Sequence, residues 1–141
     1  MIVLDTNVLS ALMQRRPAPE VAAWLDALPA ESIWITAITV FEVRFGLDLL
    51  AAGRRRNELE AAFTASLAED FEGRVLAFDQ SAAEAAGRIA ASQRRQGRAL
   101  EVRDVEIAGI VAARKATLAT RNTRHFEGLG ISLVNPWGES R

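Results

Sequence analysis

The chain has 141 residues, half of them hydrophobic and a quarter charged, with a net charge of −1. That length fits one domain, residues 1–141, large enough to bury a real core. The absence of cysteine and a single histidine, His125, exclude a disulfide framework, thiolate metal sites, a cysteine nucleophile and any multi-histidine metal centre.

Nearly neutral charge gives no global attraction to nucleic acid. No run is long and apolar enough for a signal peptide or a membrane span, so a cytoplasmic location is expected. Positive charge is almost all arginine, with Lys115 the single lysine. The arginines cluster at Arg15-Arg16, Arg54-Arg55-Arg56, Arg94-Arg95 with Arg98, and Arg121 with Arg124. Each cluster alone reads as a solvated helix face. Together they leave room for local phosphate contacts.

Along the chain, Ile2-Val3-Leu4 is a short apolar run of the kind that forms a buried parallel strand. A helix is predicted from Asn7 to Met13, broken by Pro17 and Pro19, and another from Glu20 to Leu28, ended by Pro29. Ile33 to Ile35 is the second strand. A helix from Thr39 to Leu50 follows, with Phe41, Phe45 and Leu49 taken as its inner face and Gly53 as its close. Arg54 to Phe71 is amphipathic, with Leu59, Phe63 and Leu67 at four-residue steps. Val75 to Phe78 is the third strand. Ser81 to Gln96 is Ala-rich and helical, and Asp104 to Lys115 is a further helix. Thr117 to Thr120 and Leu133-Val134 complete five strands. Strands alternating with helices imply an α/β/α sandwich around a mainly parallel sheet.

In such a sheet, ligands bind outside the carboxyl ends of the strands. Asp5 follows the first strand there, and Thr120-Arg121-Asn122 follows the fourth. Glu42 and Asp104 lie at the edges of apolar helical stripes, where an ionised carboxylate is costly unless paired or bound to a cation. Each acid has a bland alternative. Asp5 suits an N-cap, Thr39-Val40-Phe41-Glu42 matches a capping box, and Asp104 favours the positive end of its helix. Converging on one edge, the three repel one another and call for positive charge. Hard oxygen ligands in this number suit Mg²⁺ or Mn²⁺, which polarises a phosphodiester and activates water.

Met1-Ile-Val-Leu-Asp-Thr-Asn7 resembles the opening block of PIN-domain proteins, in particular VapC-type toxins and their FitB-type relatives. Ala37-Ile-Thr-Val-Phe-Glu-Val-Arg-Phe-Gly46, Arg103-Asp-Val-Glu-Ile-Ala108 and Thr120-Arg-Asn-Thr-Arg-His-Phe-Glu127 are similar to the later blocks, in family order, and Val134-Asn-Pro-Trp137 fits the close. The resemblance covers essentially the whole chain. It implies a PIN-like fold and an endoribonuclease binding Mg²⁺ or Mn²⁺ through Asp5, Glu42 and Asp104. It also implies a homodimer, RNA as substrate and a small VapB-like antitoxin as partner.

Asn122 stands where many members carry a fourth acid, so it is expected to offer a weaker or water-mediated contact to metal. Thr6 and Thr120 are candidate hydroxyls for orienting the carboxylates. Glu101 and Glu106 match no family role. The motifs of P-loop and dinucleotide binders are absent, and Asn7 stands where an aspartyl-nucleophile phosphatase needs a second acid. The rival expectation is a PIN-like module that binds RNA or a partner without cutting.

Overall fold

The computed structural model describes residues 1–138. Five parallel strands form one sheet: β1 (Ile2–Leu4), β2 (Ile33–Thr36), β3 (Val75–Leu76), β4 (Thr117–Ala119) and β5 (Ser132–Val134), in the order β3-β2-β1-β4-β5. The sheet is wholly parallel, where the sequence argued for mainly parallel. The central strand β1 pairs Ile2 with Ile33 on one side and with Thr117 on the other.

Alternation along the strands separates two cores. Leu4, Ile33 and Ile35 point to the layer built by α1 (Thr6–Leu12), α2 (Pro19–Asp26), α3 (Ala37–Leu49) and α4 (Arg54–Ala65). Val3 and Leu118 point to the opposite layer, with α5 (Gln80–Arg95), α6 (Val102–Arg114) and Phe126 of α7 (Thr123–Phe126). Val3, Leu4, Ile35 and Leu118 are completely buried. Covering both faces is what lets these short strands be apolar throughout.

α4 runs directly into a π-helical turn, Ser66–Asp70, so the long helix expected to reach Phe71 is one continuous element with a widened last turn. Gly53 caps the start of α4 instead of closing α3, which ends at Leu49. The short helix α7 was not anticipated.

The larger correction concerns α3. Its buried stripe is Thr39, Val43 and Leu47. Phe41, Phe45 and Leu49, expected inside, are 57 %, 52 % and 72 % exposed. Both sets have four-residue spacing, and the bulkier one faces outward. The two phenyl rings stack on each other, centroids 6.2 Å apart.

Candidate active site at the carboxyl edge of the sheet

The chain leaves β1 to one side through β2 and returns on the other through β4. The crevice at the carboxyl ends of β1 and β4 is therefore a topological switch point. Asp5 lies there, buried to 5 % exposure, held by Asp5 N–H donating to the Ala119 carbonyl at 2.9 Å. Its carboxylate does cap α1, through Oδ1 accepting from the Thr6 N–H at 2.8 Å. Capping occupies one oxygen only. Oδ2 accepts from the Thr120 hydroxyl at 2.8 Å and the Asn7 amide at 3.3 Å.

Glu42 does not close a capping box. α3 begins three residues before that reading requires, and Thr36 is its cap, its hydroxyl accepting from the Thr39 N–H at 3.1 Å. Glu42 faces Thr6 instead: the Thr6 hydroxyl lies 3.1 Å from Glu42 Oε1 and 3.0 Å from Thr39 Oγ. One hydroxyl proton serves one acceptor. Thr6 that donates to the carboxylate accepts from Thr39, and Thr39 in turn accepts from Thr36 at 3.4 Å. The hydroxyls form a line directed at Glu42.

Asp104 sits in the first turn of α6, which starts at Val102 with Glu101 as its cap. Ile107, Ala108 and Val111 continue its face fully buried. Glu101 accepts from the Arg103 N–H at 3.2 Å and, through Oε1, from Arg103 Nε at 3.0 Å. Arg103 Nη1 also stands 3.9 Å from Glu42 Oε2. His125 Nδ1 stands 3.9 Å from Asp104 Oδ2.

All three acids hold their protons more tightly than free carboxyls do, and for one main reason: burial disfavours the charged form. The charges of Asp5 and Asp104 push Glu42 up further, as Asp5 and Glu101 push Asp104. Donors pull the other way, Thr120, Thr6 and Asn7 at Asp5, and Thr6 with Arg103 at Glu42. They do not win. The cluster is short of positive charge.

Asn122 reaches the same edge through its N–H, which donates to Thr120 Oγ at 3.1 Å. Its exposed side chain makes no hydrogen bond among the described residues. Thr6 and Thr120 both donate to carboxylates, Glu42 and Asp5. Asn7 was missed as a site residue, although it lies in the first block: it donates to Asp5 and Thr120 and accepts from the Arg121 N–H at 3.2 Å. Arg103, Thr36 and Thr39 were missed as well. Only the apposition of β1, β2 and α6 gives them their role.

Among the described residues, no three His, Asp or Glu side chains are already drawn tightly enough together to close on one ion. The acids sense one another's charge while standing apart.

The family model for the PIN domain matches residues 2–130. The chain is 39 % identical to the VapC ribonuclease Y4jK of Sinorhizobium fredii over 137 residues, 97 % of this chain and 98 % of that one. It is 36 % identical to the toxin FitB of Neisseria gonorrhoeae, over 97 % of this chain and 99 % of FitB. The crystal structure of FitAcB from the same organism superimposes with a TM-score of 0.90 and 36 % identity, covering 99 % of this chain and 100 % of that one. The fold, the order of the motif blocks and these matches agree: the chain belongs to the PIN-domain family.

Proposed function

We propose that this protein is the toxin of a type II toxin–antitoxin pair, an endoribonuclease that hydrolyses RNA phosphodiester bonds with a divalent cation held by Asp5, Glu42 and Asp104. The observation that carries it is the set of three carboxylates at the switch-point crevice, Asp5 buried and Glu42 and Asp104 half-buried, whose charged forms burial disfavours and of which Glu42 and Asp104 also feel the charge of Asp5. The relatives' names, a VapC ribonuclease and the toxin FitB, point the same way.

The donor set fits Mg²⁺ or Mn²⁺. All the candidate ligands are hard oxygens, the donor type such an ion takes alongside the waters it retains. Bound there, the cation supplies a Lewis acid for the phosphate and a water of lowered pKa. The chain's residues prepare the site. Thr120 and Asn7 fix the outer oxygen of Asp5, and the hydroxyl line ending in Thr6 fixes Glu42. Such supporting contacts are typically worth about 10–100-fold in metal affinity or activity. Arg103 and His125 place positive or hydrogen-bonding groups at the rim.

Two surfaces support the reading of its partners. Phe41, Phe45 and Leu49 form an exposed apolar face on the helix that carries Glu42, and Val102, beside Arg103, is 65 % exposed. A second copy of the chain docking there through a two-fold axis buries the stacked rings and brings two acidic sites side by side. The antitoxin takes a different surface, a groove of about 500 Å³ between α1, α2 and the π-helical turn. Its floor includes Leu9, Leu25 and Phe71, and its rim Asp26, Glu69 and Glu72. A segment with apolar anchors and basic flanks suits it, and an arginine from that segment offers the acids the charge they lack.

One feature favours a second reading, a PIN-like module that binds without cutting: Asn122 removes a fourth charge from the crevice. Cleavage of RNA in Mg²⁺ or Mn²⁺ that stops with EDTA and with Asp5→Asn supports the nuclease. An unchanged RNA in every metal tested favours the binding module.

A further inference from the structure

The arginines divide into two groups. Arg44 and Arg56 share Asp48 and Glu60 across the α3–α4 junction, at 2.6–3.3 Å. Arg15 and Arg54 share Glu58, Arg114 pairs with Asp79, and Arg74 is spent on the carbonyls of Ala30, Ile33 and Asp70. Arg54 and Arg56 are thus engaged in ion pairs. Arg16, Arg55, Arg88, Arg94, Arg95, Arg98, Arg121 and Arg124 have no carboxylate partner among the described residues. The last five of these lie toward the end of the molecule that carries the acids, at the α5–α6 connection or just after β4.

Arg121 is the one whose position is fixed. It directly follows Thr120, which donates to Asp5. Its N–H is tied to Asn7 at 3.2 Å, and its guanidinium lies 4.8 Å from the centroid of the Trp137 ring. The backbone is therefore anchored to the network that orients Asp5, and the exposed side chain is braced on a half-buried indole. A guanidinium against an aromatic face keeps its N–H edge available for bidentate contact with a phosphate. An acidic crevice repels polyanions. A pre-placed cation beside it offsets that repulsion where the strand must enter.

We infer that Arg121, braced by Trp137, binds a phosphate of single-stranded RNA next to the bond being cut. This rests on the ribonuclease reading above. Arg121 contacts the substrate, and Trp137 is a positioning residue that holds it.

The test uses the cleavage-silent Asp5→Asn protein in EDTA with a short fluorescein-labelled oligouridylate, followed by anisotropy across a salt series. Adding Arg121→Gln is expected to weaken binding about tenfold, the loss of one charge-assisted contact. The slope of log K against log salt should shrink by about 0.7, one phosphate's share on a single strand. Arg121→Lys keeps the slope, Trp137→Leu weakens binding with the slope retained, and Trp137→Phe restores it. Arg114→Gln, remote and ion-paired, changes neither quantity. In the otherwise unaltered enzyme, Arg121→Gln raises KM about tenfold with kcat within about twofold.

An Arg121→Gln protein that binds as its parent does overturns the inference while leaving the ribonuclease reading intact. So does a loss confined to kcat that excess Mn²⁺ restores, because Arg121 would then act through the carboxylates. A parent that neither binds nor cuts RNA sinks the ribonuclease reading itself.

Discussion

Gly109 is the residue whose replacement tests most directly how the fold holds the site. It lies on α6 against α5, and a Cβ built there meets the Ala82 carbonyl oxygen at 2.5 Å, Ala86 Cβ at 2.6 Å and Ala86 N at 2.8 Å. Carbon–carbon contacts are at ease near 3.5–4.0 Å, so Gly109→Ala forces the two helices apart by roughly 1 Å. Two of the three obstructing atoms belong to backbone and cannot rotate away. The strain then falls near the upper end of overpacking costs, about 3 kcal/mol. Better helix propensity returns about 1 kcal/mol, leaving a net loss of about 2 kcal/mol. For a domain this size that lowers the melting temperature by roughly 6 °C. The same displacement moves Asp104, on the first turn of α6, relative to Asp5. Misplacement by about 1 Å typically costs on the order of 100-fold in rate.

Gly87, on α5, is the internal control: a Cβ there meets nothing within 4 Å. Gly87→Ala should therefore gain about 0.5–1 kcal/mol from propensity alone. Thermal unfolding and RNA cleavage of both variants, with the double variant Gly109→Ala/Ala86→Gly recovering part of the loss, measure the effect. A Gly109→Ala protein that melts at or above the parent temperature and cleaves normally would refute the close-packing reasoning.

Burial raises the Asp5 proton affinity, so the unfolded chain releases that proton first as pH rises past 3.8. Stability of the metal-free protein should then fall with rising pH until the folded carboxyl has ionised, and stay lower above that. Asp5→Asn removes this contribution, so in EDTA at neutral pH the variant should unfold at a denaturant concentration no lower than the parent's. A large destabilisation would mean that Asp5's hydrogen bonds outweigh its buried charge. Phe45→Glu places a charge in the exposed apolar face; if the proposed pairing of two copies uses that face, light scattering should show a dimeric parent and a monomeric variant of unchanged fold. A variant that stays dimeric moves the interface elsewhere. Asn122→Asp should tighten Mn²⁺ binding in calorimetry, whereas Asn122→Ala should impair cleavage less than Asp5→Ala does. Equal loss in the two alanine variants would make Asn122 a direct ligand.

The parts of the site that were legible in sequence are those where chemistry and secondary structure disagreed. Asp5 after an apolar strand and Asp104 heading a buried stripe were visible because a carboxylate there needs a reason. The contact that sets Glu42 was not legible: it comes from Thr6, far away in sequence. The capping box failed because Thr36, three residues earlier, offered the same chemistry at the true end of β2. Beside local contacts to Asp5 and Glu101, Asn7 and Arg103 also reach Thr120 with Arg121 and Glu42, and those partners, distant in sequence, are brought close only by strand order.

The error on α3 has a physical cause that periodicity cannot reveal. Helical spacing identifies a stripe but not which of two parallel stripes faces inward. Thr39, Val43 and Leu47 are small enough to approach the sheet, and Thr39 must turn inward for its hydroxyl to reach Thr6. The buried stripe and the hydroxyl line to Glu42 belong to one rotation of the helix, and that rotation sends Phe41, Phe45 and Leu49 outward. A helix turned to place its acid in the crevice exposes its largest side chains beside that crevice. Orienting Glu42 and exposing an apolar face go together on this helix. A substitution that turned the phenyl rings inward would withdraw Glu42 from the other two acids. Thr39→Val tests the coupling: it keeps the inward volume but breaks the hydroxyl line, so cleavage should fall while light scattering still shows the parent's assembly. Loss of assembly together with activity would show that the hydroxyls set the rotation of α3 outright, and full activity would show that packing alone does.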